Sequence, residues 1–209
     1  MNPFDTFDEI LGNTTRVRIL RFLTMGYAGT GRALARMAQV SQPTILGPLH
    51  ELAEQGIIEK RVIGRSHSFK LNSKNILVQK GLLPLFQLER NILEELRNTL
   101  QSALQKDVVS AVLFGSLARR ESTASSDWDI LLLCKDIKAR ERIHNRLQEH
   151  AVTWTTQFST HLDIHVMVAA EFRGRYRRGD RFAKNAYEDF IASKTINPLF
   201  GQSLSQLLS

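Results

Sequence analysis

The chain has 209 residues, 43% hydrophobic and 23% charged, enough to bury one large or two small cores and outside the disordered and fibrous classes. Its formal charge of +7 and pI near 9.9 favour polyanionic partners, nucleic acid before membrane, since no amphipathic basic anchor stands out. The single Cys134 excludes an intramolecular disulfide, and one cysteine with scattered histidines gives no zinc cluster.

In chain order, the opening MNPFDTFDEI lacks a basic region followed by an apolar core, and no apolar run reaches membrane-spanning length. A cytoplasmic protein with no membrane partner is expected. Phe4–Leu23 reads as a helix packed on one side, ended by the glycines of Met25–Thr30. Gly31–Ala38 reads as a short helix, Gln39-Val40 as a tight turn, and Ser41 as the N-cap of a helix from Gln42 to about Gln55, closed by Gly56. Ile57–Ile63 and Ser68–Leu71 flank Gly64-Arg65-Ser66-His67, a turn composition, and predict a hairpin.

The stretch LARMAQVSQPTILGPLHELAEQGIIEKRVIGRSHSFKLN resembles the winged helix-turn-helix domains of ArsR- and MarR-type bacterial regulators over about the first third of the chain. That resemblance implies that Gln42–His50 enters the DNA major groove, with Gln42, Thr44 and His50 facing bases, while Arg65 on the wing reaches phosphate or the minor groove. Gly47 and Pro48 stand in mid-helix, where such regulators often carry a long polar residue. Modest base specificity on a mainly electrostatic footing is therefore expected. The alternative use of this region is protein contact or dimerisation.

Between Ser73 and Gln105, Leu85, Leu88, Ile92, Leu96 and Leu100 recur at helical intervals after a Pro84 start signal. The helix would pack on the following domain or on a second copy of the chain, giving a homodimer.

An apolar run, Val108–Phe114, breaks at Gly115-Ser116, and a second run, Trp128–Leu133, begins beside Asp127 and Asp129. Two residues apart in a strand, these aspartates share a face, and such a pair of carboxylates suits a hard divalent cation, the alternative being a strand–turn–helix with solvated aspartates at a strand end. Gly115 lets a ligand approach the main chain, and the amides opening a helix at Ser116–Arg120 favour an anion. Ile137–His150 reads as a solvated helix over a sheet, and Leu162–Val168 as a strand bringing in Asp163, with His161 and His165 on the same face. Glu171–Lys184 is the most basic stretch, a solvated face or a phosphate contact. The tail reads as a closing loop and helix.

Gly115-Ser116, ten residues, then Asp127-Trp128-Asp129 resembles the GSx10DxD signature of the DNA polymerase β-like nucleotidyltransferases, most closely their minimal prokaryotic members. The resemblance implies that Asp127, Asp129 and Asp163 bind two Mg2+ ions (or Mn2+) with a nucleoside triphosphate, and that Gly115, Ser116, Arg119 and Arg120 bind the nucleotide, Arg119 or Arg120 offsetting triphosphate charge or serving equally as a surface residue. The fold class expected is α+β: a winged helix-turn-helix over residues 1–72, a linking helical segment over 73–105 and a nucleotidyltransferase domain over 106–209 with a small mixed sheet flanked by helices. The function expected is transfer of a nucleoside monophosphate to a hydroxyl acceptor. The DNA-binding winged helix would target the enzyme or regulate its own transcription, and a partner protein would be the acceptor in an antitoxin-like case. The alternative is a DNA-binding regulator whose transferase domain only senses nucleotide.

Overall fold

The computed structural model describes residues 13–64, 66–123, 125–193 and 196–209. The chain divides into two compact units between Asn91 and Ile92. The Phe4–Gly12 part of the expected first helix and Arg65 of the wing lie outside the described residues.

In the first unit, α1 (Thr14–Thr24) begins at Asn13, whose side chain accepts the Arg16 amide, and buries Val17, Ile19, Leu20 and Leu23. Strand β1 (Gly29–Thr30) leads into α2 (Gly31–Met37), capped by the Thr30 side chain. After Gln39, at φ +55, Ser41 caps α3 (Gln42–Glu54), accepting the Thr44 amide. Gly56, at φ +69, ends that helix as glycine can. Strands β2 (Ile58–Ile63) and β3 (Ser66–Leu71) pair antiparallel, with β1 on the far side of β3. Ser66 and His67, expected in the turn, instead pair with Ile63 and Val62, so the hairpin is tighter than the loop composition suggested. Helix, turn, capped helix and wing make a winged helix-turn-helix around a core that includes Ile19, Leu34, Ile45, Leu49 and Phe69.

A π-helical turn, Val78–Leu82, runs into α4 (Leu83–Leu104), which crosses the boundary between the units. Pro84 is thus the second residue of α4 rather than a signal preceding it. The amide of Leu83 reaches back to the Val78 carbonyl, a five-residue span that opens the turn beside a proline with no N–H to give. The inward face of α4 also differs from the leucine spacing: Phe86 and Glu89 are buried, while Leu88 is exposed. Glu89 faces inward because Arg21 meets both of its oxygens, at 2.7 and 2.8 Å.

In the second unit the sheet order is β6 (Leu162–Val168), β5 (Trp128–Cys134), β4 (Val108–Phe114), β7 (Phe200–Gly201). β5 and β6 run parallel, the other pairs antiparallel, so the sheet is mixed. Period-two alternation sends Val112, Phe114, Leu131, Leu133 and Met167 to one face, where they form a core with Phe172 of α7 (Ala169–Arg177), Ala183, Ala186 and Phe190 of α8 (Arg181–Ala192), and Leu204 and Leu207 of α9 (Leu204–Leu208). On the other face the Trp128 ring meets Phe158 of α6 (Ile137–Phe158), centroids 5.6 Å apart. α6 is two turns longer than its charged stretch Ile137–His150 predicts, and the tail forms the short β7 where a loop is expected. Cys134 is buried, and that burial pushes its thiol pKa up, as befits a structural cysteine.

Candidate active site

Between β4 and β5 the chain makes one short helical turn, α5 (Gly115–Ala118), shorter than the Ser116–Arg120 helix expected. Gly115 adopts φ +71, a conformation that disfavours a side chain. The space disfavours one too: a methyl group there would stand 2.0 Å from Oδ2 of Asp129. The carboxylate of Asp129 therefore lies directly against the glycine backbone.

Strand register assembles the rest. Phe114 on β4 pairs with Asp129 on β5, and Asp129 pairs with Asp163 on β6, so these three residues form one row across the sheet. Asp127 is exposed and precedes β5 by one residue, on the parity of Asp129. Oδ2 of Asp163 lies 3.3 Å from Nε2 of His165, whose ring sits 5.7 Å from Phe114 and 5.2 Å from Phe182. His161 lies exposed just before β6. A cleft of about 320 Å³ beside β6 is lined by His144, Leu147, Trp154, His161, Leu162 and Asp163 among others.

The electrostatics follow from this geometry. Burial holds the Asp129 pKa above the ordinary carboxylate range, and the charges of Asp163 and Asp127 push it the same way, while His165 and Arg119 oppose them. A half-buried carboxylate with two anionic neighbours favours a cation. The donor chemistry, oxygen only, fits Mg2+ or Mn2+. Among the described residues no three His, Cys, Asp or Glu side chains are gathered as a metal cluster.

Of the nucleotide-binding candidates, Gly115 and Ser116 lie in the turn beside Asp129. The guanidinium of Arg119 is engaged by Asp189, at 2.9 and 3.1 Å, and by Glu121 at 2.9 Å. Arg120 is exposed, with φ +61. Asp189, which no spacing in the sequence singles out, also accepts the Gly115 amide at 2.8 Å.

The DNA-facing candidates of α3 are all exposed. Oε1 of Gln42 is 3.4 Å from Nε of Arg32, the Thr44 hydroxyl shares a 2.6 Å hydrogen bond with Ser41, and Nδ1 of His50 lies 3.3 Å from Glu54. α3 contains no lysine or arginine, and Pro48 lies inside it.

The curated proteins contain no match to this chain. A crystal structure of a MarR family transcriptional regulator from Silicibacter pomeroyi DSS-3 aligns with 47% of this chain and 71% of its own, at 15% identity and a TM-score of 0.36. Residues 94–172, which include Gly115-Ser116 and all three aspartates, match the family described as Polymerase beta, Nucleotidyltransferase. The chain thus carries a polymerase beta-type nucleotidyltransferase domain, preceded by a winged helix-turn-helix.

Proposed function

We propose that this protein is a metal-dependent nucleotidyltransferase that moves a nucleoside monophosphate from a triphosphate to a hydroxyl acceptor. One observation carries the reading: within the family-matching segment, Asp129 and Asp163 are register partners and Asp129 abuts the Gly115 turn. In the reaction the acceptor oxygen attacks the α-phosphorus, the bond to the bridging oxygen breaks, and pyrophosphate leaves with the electron pair. Ser116 and the amides after it bind the β- and γ-phosphates, and Arg120 offsets their charge. Asp163 takes the acceptor's proton, with His165 orienting its carboxylate. Bound divalent ions, held by Asp127, Asp129 and Asp163, would neutralise charge on the attacking and leaving oxygens.

In this reading the winged helix binds DNA, for targeting or for transcriptional autoregulation, through Gln42, Thr44 and His50 with Arg65 on the wing. A helix without lysine or arginine supports a weakly base-specific mode resting on phosphate contacts from the basic remainder of the chain.

The test is incubation of the full chain with each α-labelled nucleoside triphosphate, Mg2+ and cell lysate, beside the Asp129→Asn variant. Wild type is expected to label an acceptor and the variant to label none. Equal labelling by both removes the carboxylates from the chemistry. Nucleotide binding without any labelled product favours the nucleotide-sensing regulator instead.

A further inference from the structure

The outer edge of β4 is satisfied in a graded way. The Gln202 amide donates to the Val109 carbonyl at 2.9 Å and the Leu199 amide to the Ala111 carbonyl at 2.8 Å. Where this backbone pairing ends, side chains continue it. Asn197 accepts the Leu113 amide at 2.7 Å and donates Nδ2 to the Leu113 carbonyl at 2.6 Å. One further step of two residues along, Asp189 accepts the Gly115 amide. Ser193 ties the two side chains together: its hydroxyl donates to the Asp189 carbonyl at 2.5 Å and accepts Nδ2 of Asn197 at 2.7 Å. All three residues are buried. Residues 189, 193 and 197 thus act as the strand that is missing beside the end of β4.

The end so held is the turn of the site. Gly115 sits at φ +71 against Asp129, and the same Asp189 carboxylate grips Arg119 at the far end of α5. One buried anion therefore fixes both ends of the four-residue turn. From this geometry we infer that Asp189 is a positioning residue for nucleotide binding, holding Gly115-Ser116 and Asp129 in the arrangement that receives the triphosphate. The inference rests on the transferase reading. Asp189 does not itself meet nucleotide, since its oxygens are spent on Gly115 and Arg119.

The experiment measures binding of each nucleoside triphosphate with Mg2+ to the full chain by calorimetry, together with hydrogen exchange at the Gly115 amide. Asp189→Ala is expected to weaken binding by roughly 10–100-fold and to lose Gly115 protection, as loss of a supporting residue does. Asp189→Asn keeps an acceptor for Gly115 and is expected to restore most of both. Asp189→Glu keeps the charge but displaces the oxygens, so it should bind poorly while folded, which keeps the test decisive if the alanine variant does not fold. Asp107→Asn, which disturbs a buried carboxylate outside the turn, should lower thermal stability with no change in affinity. Wild-type affinity in the Ala and Glu variants, or an equal loss in Asp107→Asn, overturns the inference. If wild type binds no nucleotide, the transferase reading falls, and exchange at Gly115 still decides whether Asp189 holds the turn.

Discussion

Each site aspartate has a different environment, and each should respond differently to replacement. Asp129 has a raised pKa in the fold, so the folded state binds its proton more tightly than the unfolded chain does. Stability is therefore lost as pH rises through the window between the unfolded and the folded pKa, and Asp129 ionises at a cost above it. Asp129→Asn should then melt at a higher temperature than wild type at pH 7, the gap closing as pH falls through the folded pKa, while metal-dependent binding is lost. Melting curves from pH 3 to 8 check this; a variant less stable than wild type at neutral pH contradicts it. Asp163→Asn should lower turnover by about 10²-fold or more with nucleotide affinity little changed, because proton removal is on that scale. Gly115→Ala combines a strained φ with a clash on Asp129, and should cost about 1–3 kcal/mol in denaturant unfolding. Full stability in that variant would mean the turn is not held as described.

At the scale of elements, what the sequence discloses depends on how local the cause is. The two strands around Gly115-Ser116 were legible because an apolar run, a glycine break and a period-two pair of aspartates lie within 26 residues, and Asp163 because its strand alternates in the same way. Asp189 and Asn197 were not legible. They serve residues 74 and 84 positions away, and neither hydropathy nor spacing links them to β4. The inward turn of Glu89 was hidden for a similar reason: a charged residue faces a core only because Arg21, 68 positions earlier, neutralises it. Asp107, which follows α4, is buried and paired with Arg142 and Arg146 of α6, and the Arg142 hydrogen bond holds its carboxyl below the usual range. Its contribution is present above the unfolded pKa and lost as pH falls through the folded one. Asp107→Asn should cost about 1 kcal/mol at pH 7, discounted because Arg142 is half exposed, and should flatten the acid limb of the stability profile. An unchanged acid limb would assign the acid sensitivity elsewhere.

For the whole molecule, the proposed DNA binding should be salt-steep and weakly selective, given a charge of +7 and an α3 that carries neither lysine nor arginine. Affinity for an arbitrary duplex should fall by about tenfold or more between 50 and 200 mM salt, and by a similar factor for any preferred site. A salt-insensitive complex would count against a phosphate-led mode. Among the described residues no helix is long and apolar enough to cross a membrane. Isotope position distinguishes nucleotidyl transfer by the second unit from any other cleavage of a triphosphate. Given a triphosphate labelled at either the α- or the γ-phosphorus, Mg2+ and lysate, the protein is expected to place the α-label on an acceptor and release the γ-label as pyrophosphate, with neither event in Asp127→Asn. Transfer of the γ-label, or release of label undiminished in that variant, would contradict nucleotidyl transfer at this site.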